Sequence, residues 1–388
     1  MISILEVKNK KQLKQFATFP VRLYKSCKYY VPSFISDDFY IYDKKKNLSL
    51  GNSEVKCFLA IKDKKVVGRI AGIICHDSNK KNDEKCIRFS RFDFIDDIEV
   101  SSKLLDAVME YGREKGMNTI HGPWGFNDTD REGMLTFGFD EYSTYATAYS
   151  FPYYIEHMEK LDFKKESEWV EYRVDLKNID PRIKKITSYL KEKRNLHLVD
   201  DKLSLKEIIK RYGDSFFDCY NKSYYELDNY IPIEGEAKQK TLEQFGKILN
   251  KKYFSLILND MDKVVGFCIG LPYIGDVLRR SKGRMILAAI PLLWTIKYPK
   301  KIELALMGAD PEYQNYALFA IVMESLSENL KKYKIQDVYM NPILTTNFKM
   351  NATANYFNKS LRAKRQTYKK KIDMLEDYSL DYFDVFLP

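Results

Sequence analysis

The chain has 388 residues, of which 45% are hydrophobic and 30% charged, and its formal net charge is +10. This length exceeds the size at which a single hydrophobic core stops growing, so we expect two domains. The longest apolar run, Met285 to Ile296, has 12 residues and is shorter than the roughly 20 that a membrane-spanning helix needs. The composition predicts a soluble globular protein, and its basic balance favours an anionic partner.

Cysteine and histidine spacing indicates neither disulfides nor a metal site. The six cysteines include no C-x-x-C pair, so we expect reduced, buried thiols in a cytoplasmic protein. The four histidines are dispersed, and no zinc pattern is found. The N-terminal residues lack the basic, apolar and small-residue pattern of an export signal.

The first half of the chain has the order strand, helix, hairpin, strand, helix, strand. We expect Pro20 to end the first helix, because proline has no amide hydrogen to donate. The predicted elements are the strand Ile2 to Val7, the helix Lys11 to Phe19, the hairpin strands Lys56 to Lys62 and Val66 to Cys75, the strand Arg88 to Ile95, the helix Ser101 to Gly116 and the strand Met117 to His121. This order is typical of a mixed α/β sheet.

The second half repeats this order after a polar boundary at Lys177 to Pro181. Its predicted elements include a strand at Leu196 to Val199, helices at Leu205 to Tyr220 and Lys238 to Leu249, a hairpin over Phe254 to Leu271, a strand at Asp337 to Tyr339, a helix at Met350 to Phe357 and a basic strand at Arg362 to Lys371. We therefore divide the chain into domains at 1–178 and 179–373, followed by an acidic tail at 374–388.

A basic and apolar insertion lies within the second half. Seven basic residues flank the apolar stretch Met285 to Ile296: Arg279, Arg280, Lys282, Arg284, Lys297, Lys300 and Lys301. Such a helix either lies on an anionic membrane surface or covers a face of the core. Pro291 is expected to kink or restart it. The segment 279–301 is thus a candidate for peripheral membrane contact.

The stretch from Ile302 to Leu330 predicts a strand, a tight turn and a long helix. Ile302 to Met307 is short and apolar, and helical spacing begins at Leu318. A turn of this kind leaves backbone N–H groups unpaired beside the positive end of the helix dipole. The residues from Gln314 to Leu318 therefore form a candidate anion site. In the first half, three carboxylates occupy the corresponding connection, 94–100, and would repel a diphosphate.

The Ile302 to Leu330 stretch resembles the pyrophosphate-binding segment of the GCN5-related N-acetyltransferase (GNAT) superfamily. In that superfamily a strand leads into a Gln/Arg-x-x-Gly-x-Gly/Ala turn around coenzyme A. Gln314 occupies the first position of this pattern, whereas Ala317 and Phe319 replace its small residues. The resemblance implies that acetyl-CoA or a longer acyl-CoA is the co-substrate. Its binding residues would be Leu306, Met307, Gly308, Ala309, Gln314, Asn315, Tyr316, Ala317 and Leu318.

Further motifs resemble bacterial proteins of about this length that are built from two GNAT-like halves. The motifs are Gly122-Pro123-Trp124-Gly125-Phe126, Gly133-Met134-Leu135, Pro152-Tyr153-Tyr154 and the spaced residues Leu344, Asn347 and Met350. The resemblance implies an α/β fold with two tandem GNAT-like (acyl-CoA N-acyltransferase) domains, the first without a cofactor loop. Tyr153 and Tyr154 either contact substrate or pack between the halves. Thr345 and Thr346 stand where similar proteins tend to carry carboxylates.

The resemblance also implies direct attack of an amine on the thioester of an acyl-CoA. Tyr356 is the nearest candidate for protonating the departing thiolate, because a phenol with a pKa near 10 suits that group. Asn347 would orient backbone or substrate. Glu303 or a chain of water molecules would accept the amine proton, although a solvated charge at a strand start is the more frequent role for a residue such as Glu303.

These features predict an acyl-CoA-dependent N-acyltransferase whose acceptor is a small-molecule or lipid-like amine, with no DNA partner. An aminoacyl-tRNA-dependent transferase of the cell-wall ligase type is an alternative that the positive charge favours. A non-catalytic GNAT-like scaffold is another, favoured by Ala317, Phe319 and the missing carboxylates. The lack of a Ser-His-Asp spacing, a Walker loop or a G-x-G-x-x-G motif argues against hydrolases, NTPases and dinucleotide-binding enzymes.

Overall fold

The computed structural model describes residues 1–128, 130–176, 178–227, 230–246, 248–356 and 358–373. The predicted acidic tail, 374–388, lies outside these residues, as do Lys177 and Phe357. Among the helices of the described ranges, none combines the length and the apolar character that crossing a membrane requires. The six cysteines are unpaired; Cys27 is half-buried and the other five are buried.

The N-terminal segment alternates strands and helices in the predicted order. Its elements are β1 (Ile2–Glu6), α1 (Lys10–Leu23), α2 (Ile35–Phe39), β2 (Ser53–Lys62), β3 (Lys65–Cys75), α3 (His76–Lys81), β4 (Cys86–Phe94), α4 (Ile98–Glu114), β5 (Thr119–Gly122), β6 (Met134–Phe137), α5 (Tyr153–Lys160) and β7 (Lys164–Asp175). The turn between β2 and β3 has positive φ at Asp63 and Lys64, 50° and 62°, which is the backbone form that a tight hairpin favours.

The C-terminal segment repeats the pattern with one long insertion. Its elements are α6 (Pro181–Arg194), β8 (His197–Leu198), α7 (Leu205–Tyr224), α8 (Glu236–Phe245), β9 (Phe254–Leu258), β10 (Val264–Pro272), α9 (Gly275–Ser281), α10 (Met285–Lys297), β11 (Lys301–Ala309), α11 (Phe319–Lys332), β12 (Asp337–Leu344), α12 (Phe348–Ala354) and β13 (Asn358–Lys371). The insertion, α9 and α10, lies between β10 and β11. A short 3-10 helix, Pro311–Tyr316, connects β11 to α11.

The prediction that Pro20 ends the first helix is wrong, because α1 continues to Leu23 with Pro20 inside it. Proline cannot donate to the carbonyl four residues earlier, which here is that of Phe16. The guanidinium of Arg69 donates to this carbonyl instead, at 3.0 Å. A side chain from β3 thus replaces the missing helical hydrogen bond. Pro291 likewise lies inside a single helix, α10, which does not restart there.

The described strands form one 13-stranded sheet in which the two halves exchange their last strands. The order is β1-β2-β3-β4-β5-β13-β7-β12-β11-β10-β9-β8, and β6 pairs with β13. β7, from the N-terminal segment, lies against β12, while β13, from the end of the chain, lies against β5. The sheet is therefore continuous across the predicted domain boundary near residue 178. The boundary itself stays a prediction.

A buried ion cluster connects the two exchanged strands. Glu171 on β7 is 1% exposed and accepts from Arg362 at 2.6 Å and from Arg365, both on β13. The same guanidiniums donate to the carbonyls of Tyr142 and Ala148. Removing one member of such a buried cluster leaves an uncompensated charge, which typically costs about 3–5 kcal/mol. The cluster therefore joins β7 to β13 through buried, hydrogen-bonded charges.

Each half also packs an amphipathic helix against the sheet, in the connection between two parallel strands. In α4 and in α11 the buried residues recur at helical spacing. They are Val100, Leu104 and Val108 in α4, and Val322, Leu326 and Leu330 in α11. A Cβ at Gly68 of β3 would lie 2.7 Å from a methyl of Leu104, so glycine permits the close approach of α4. Each helix thus contributes its buried face to the hydrophobic core of its own half.

Candidate functional site

β11 and β12 diverge after a short parallel pairing. The pairing runs from Lys301 opposite Asp337 to Leu304 opposite Met340. Beyond it, β11 stays paired with β10 as far as Ala309, while β12 stays paired with β7. Since each strand follows a different neighbour, a V-shaped gap opens beside the later residues of β11.

A cavity of about 1240 Å³ occupies this gap and extends between the two halves of the chain. Single-ligand sites usually measure roughly 300–1,000 Å³, so this cavity is larger than a usual single-ligand site. Its walls include Leu306, Met307, Ala317 and Lys349 from the C-terminal segment, and Asp37, Arg131 and Tyr154 from the N-terminal segment. The predicted residues Gly308, Ala309 and Gln314 also line it.

The connection between β11 and α11 is held by its own side chains. Asp310 accepts a hydrogen bond from the amide of Glu312 at 3.1 Å, and Lys222 pairs with it at 2.8 Å. The Gln314 side chain donates to the carbonyl of Ala309 at 3.2 Å, and its oxygen accepts from Lys349. These contacts position a lysine ammonium at the turn, where it adds positive charge. The side chains of Asn315 and Tyr316 lie outside the described part of the chain.

The start of α11 is open toward the cavity. Ala317 has φ of 51°, the left-handed conformation that glycine adopts without strain, and an alanine there costs about 1 kcal/mol. The helix begins at Phe319 without a side-chain cap. Phe319 and Ala317 line the cavity, whereas Leu318 is 2% exposed and packs in the core. The positive end of the helix dipole thus faces a space that an anion can enter.

The peptide of Met307, where a pantetheine contact is predicted, is bonded to a tyrosine. The hydroxyl of Tyr224, the last residue of α7, donates to the Met307 carbonyl at 3.2 Å and accepts from its amide at 3.4 Å. Tyr224 also stacks on Tyr220 at 4.6 Å between ring centroids. A ligand that pairs with the Met307 peptide must therefore displace the Tyr224 hydroxyl.

Glu303 lies on the cavity wall, where β11 and β12 begin to separate. The expectation of a solvated charge is wrong, because Glu303 is only 5% exposed. Its Oε1 has no hydrogen-bond partner in the described part of the chain. Burial raises the pKa of the Glu303 carboxyl to about 8, although Arg362 and a hydrogen bond from the Tyr145 backbone oppose this effect. A carboxyl with such a pKa can exchange protons near neutral pH.

A second acid, the half-buried Asp37, lies on the N-terminal wall of the same cavity. Burial raises the pKa of the Asp37 carboxyl to about 6, while a hydrogen bond from the Tyr145 hydroxyl, at 2.9 Å, lowers it. Tyr145 therefore contacts both acids, Asp37 through its hydroxyl and Glu303 through its backbone. The neighbouring Asp38 is instead paired with Arg69 and Arg91.

Tyr153 and Tyr154, the predicted substrate residues, bond to the end of β4. The hydroxyl of Tyr154 accepts from the amide of Phe94 at 3.1 Å and shares a hydrogen bond with Tyr24 at 2.8 Å. The hydroxyl of Tyr153 donates to the Phe94 carbonyl. Tyr154 lines the cavity, although it is 1% exposed. Tyr154 thus packs in a hydrophobic cluster and also borders the cavity. Substrate contact by Tyr153 and Tyr154 stays a prediction.

The other two predicted catalytic residues lie around α12. Asn347 caps this helix, because its side chain accepts from the amide of Met350 at 3.0 Å. Tyr356 follows the C-terminal end of α12, is 55% exposed and lines the cavity. Tyr356 can therefore reach a ligand directly, whereas the side chain of Asn347 is used within the fold.

Sequence reasoning missed Tyr224, Lys349 and Asp37. The four-residue spacing of Tyr220 and Tyr224 places both rings on one face of α7, and this was the available signal. Nothing local distinguishes Lys349 or Asp37 from the many other charged residues of the chain. Their positions depend on contacts with distant segments.

Two bacterial proteins are similar in sequence to most of this chain. No model of a protein family matches the chain. It is 24% identical over 375 residues to Protein YghO of Escherichia coli (strain K12), covering 94% of each protein. It is 23% identical over 326 residues to the bacterial ceramide synthase of Caulobacter vibrioides (strain NA1000 / CB15N), covering 81% of this chain and 82% of that protein.

Among solved structures, the chain is similar to a tandem GNAT protein from the clavulanic acid biosynthesis pathway. The TM-score is 0.55 at 9% identity, and the match covers 96% of this chain and 99% of that one. Similarity at this identity establishes the fold alone. The predicted fold is confirmed: the chain has the tandem GNAT fold, with two GNAT-like halves in one polypeptide.

Proposed function

We propose that the protein is an acyl-CoA-dependent N-acyltransferase that acylates a long-chain, lipid-like amine. The observation that carries the proposal is the divergence of β11 from β12, which opens one cavity between an uncapped helix start and the buried carboxyl of Glu303. A site for the anionic donor and an acceptor for the amine proton then face the same space.

The donor would bind along the C-terminal wall. The start of α11 and the ammonium of Lys349 match the negative charge of a diphosphate. The backbone of Leu306 to Ala309 would pair with the amides of the pantetheine arm. Because Tyr224 bonds to Met307 in the structure, this pairing requires the Tyr224 side chain to release the Met307 peptide.

The chemistry would be a direct transfer. The amine nitrogen attacks the thioester carbonyl carbon, a C–N bond forms, and the carbonyl electron pair moves to oxygen. Collapse of this intermediate breaks the C–S bond and expels the CoA thiolate. The Glu303 carboxylate takes the proton that the nitrogen loses, and the Tyr356 phenol protonates the thiolate. The products are an amide and free CoA, after which both side chains exchange protons with water.

The proposal of a lipid-like acceptor rests on the size and the lining of the cavity. Apolar side chains of Leu304, Met340 and Ile343 face a volume of about 1240 Å³, which leaves room for a long chain beside the donor. The carboxyls of Asp37 and Glu303 can accept hydrogen bonds from the N–H groups of a neutral amine. The similarity to a bacterial ceramide synthase supports the same class of acceptor.

Donor binding can be tested by thermal unfolding with CoA, acetyl-CoA, octanoyl-CoA and palmitoyl-CoA. A donor present at 100 times its dissociation constant should add about 2.7 kcal/mol to the free energy of unfolding. Transfer is then measured with radiolabelled palmitoyl-CoA and a long-chain amino alcohol, by recovery of the labelled amide. If no CoA derivative stabilises the protein and no amide forms, the proposal is wrong and a scaffold role is favoured.

The aminoacyl-tRNA alternative has its own test. The N-terminal wall of the cavity carries Asp37, Asp38 and Asp130 beside Arg69 and Arg91, so this wall is not uniformly basic and would bind the phosphates of a tRNA poorly. We expect weak retention of aminoacylated tRNA on filters, lost as the salt concentration rises. Tight retention together with transfer of the amino acid would replace the acyl-CoA proposal.

A further inference from the structure

Helix α10 presents an unusually exposed apolar face. The exposed fractions of its outer residues are 93% for Ile286, 81% for Ile290, 70% for Leu293 and 68% for Trp294. Soluble proteins rarely leave several large apolar side chains together in water. Such a contiguous surface therefore requires a binding partner.

The inner face of α10 is fixed to the rest of the protein. Ala288 is buried against a small cluster that includes Val31, Phe34 and Leu278. The carbonyl of Gly283, at the turn before α10, accepts from the amide of Ile35 at 2.9 Å. The interpretation of this segment as a cover for a core face is thus correct for its inner side. The outer side faces away from the protein.

The surroundings of the exposed face are positively charged. No aspartate or glutamate occurs from Val277 to Ile302. Five exposed basic residues flank the helix: Arg280, Lys282, Arg284, Lys297 and Lys300. Asp276, just before this stretch, pairs with Arg279 and Lys301 rather than with any of these five. The apolar face is therefore bordered by exposed cations at both ends.

We propose that α10 binds the surface of a membrane that contains anionic lipids. Its 13 residues are fewer than the roughly 20 needed to cross a bilayer, so the helix would lie in the plane of the interface. Trp294 and Tyr298, whose ring centroids are 4.9 Å apart, are the residue types that favour the headgroup level. The flanking cations would contact the negative lipid headgroups.

A second copy of the chain fits this surface less well. A symmetric dimer through α10 would bring the cations of both copies to one interface, where like charges repel. An anionic bilayer instead satisfies the apolar face and the cations together. This inference goes beyond acyl transfer and does not depend on it. Membrane binding through α10 would also bring Ser33 and Asp37, which line the cavity near the Gly283 turn, close to the lipid surface.

The experiment is cosedimentation of the full chain with phosphatidylcholine vesicles that do or do not contain phosphatidylglycerol. We expect the wild-type protein to bind the anionic vesicles and to lose binding as salt rises. The double variant Ile290→Glu/Leu293→Glu should bind at least about tenfold more weakly. Met261→Glu, a matched change at a 65% exposed methionine on the β9–β10 turn, should bind as the wild type does.

Charge reversal and fluorescence complete the test. Arg284→Glu/Lys300→Glu should abolish the preference for anionic vesicles, whereas Lys184→Glu/Lys185→Glu on α6 should retain it. The emission of Trp294 should shift to shorter wavelength on binding, since Trp124 and Trp169 are already buried. The proposal is overturned if the apolar double variant binds vesicles as tightly as the wild type. It is equally overturned if sedimentation velocity shows a wild-type dimer that this variant dissociates and vesicles do not bind.

Discussion

In each half of the chain, one strand diverges from its parallel neighbour. The end of that strand is covered in the first half and lines a cavity in the second. β4 and β11 each have nine residues, and each pairs in parallel with its neighbour only at its start, from Cys86 opposite Thr119 and from Lys301 opposite Asp337. At the end of β4, Phe94 is fully buried beneath two tyrosines that bond to its peptide. At the end of β11, the equivalent Ala309 lines the cavity.

The difference extends to the charged residues. The third residue of β4, Arg88, is buried with its guanidinium bonded to the Gly125 carbonyl at 3.2 Å and to Ser78 at 2.6 Å. The third residue of β11, Glu303, keeps an oxygen without a partner in the described ranges. The carboxylate of Asp97 caps the start of α4, whereas α11 has no side-chain cap. At these positions the first half bonds its polar groups internally, whereas the second half leaves Glu303 Oε1 and the start of α11 available to ligands.

The largest expected effect is the loss of activity in Glu303→Gln. If Glu303 accepts the amine proton, the variant should lower kcat roughly 10²- to 10⁴-fold while binding donor normally. Wild-type activity should rise with pH and level off above about pH 8, because only the ionised carboxyl is a base. The variant should lack this rise. Glu166→Gln, at an exposed glutamate of β7, is the matched control, and an equal loss in both variants would contradict the assignment.

Removing a tyrosine that covers the end of β4 should cost more stability than removing the tyrosine that bonds to β11. Tyr154→Ala removes a side chain that is 1% exposed and should lower the free energy of unfolding by about 3–5 kcal/mol. Tyr224→Ala, at the half-buried tyrosine of the open half, should cost distinctly less. Denaturant unfolding of both variants measures the difference. Equal costs would mean that the two tyrosines have the same structural role and that the contrast between the halves is incorrect.

A smaller effect should follow from freeing the β11 backbone. Tyr224→Phe removes the hydroxyl that bonds to the Met307 peptide, so a donor no longer competes with it. One such hydrogen bond contributes roughly 0.5–1.5 kcal/mol, which predicts donor binding about two- to tenfold tighter. Isothermal titration with acetyl-CoA measures this change. Tyr225→Phe, at the exposed neighbour, should leave affinity unaltered; weaker binding by Tyr224→Phe would instead indicate that the hydroxyl contacts the donor.

The smallest effect concerns the turn before α11. Ala317→Gly should stabilise the protein by up to about 1 kcal/mol, because glycine adopts a φ of 51° without strain. Ala320→Gly, three residues later inside the helix, should destabilise it by up to about 1 kcal/mol. In thermal unfolding, the same chemical change should therefore raise the stability at position 317 and lower it at position 320. Destabilisation by both would show that the left-handed form is not strained at Ala317.

Local sequence patterns determined the elements of this protein. The apolar strand and helical spacing after Ile302, the β2–β3 hairpin and the alternation of strands and helices were all predicted, since they depend on neighbours in sequence. The α1 helix was predicted too short, because the group that replaces the Pro20 amide belongs to Arg69, about 50 residues away. The anion-binding turn at Gln314 was proposed from the same local pattern and stays a prediction as a cofactor site.

Tertiary structure alone decided which polar groups are buried and which are free. A glutamate at a strand start is usually solvated, and Glu303 is buried only because β12, β10 and the Tyr145 segment enclose it. The exchange of β7 and β13 could not be predicted from the sequence either, because the strand pattern of each segment would fit the sheet of either half. Burial and pairing between distant segments are properties of the assembled sheet, and neither is encoded at any single position.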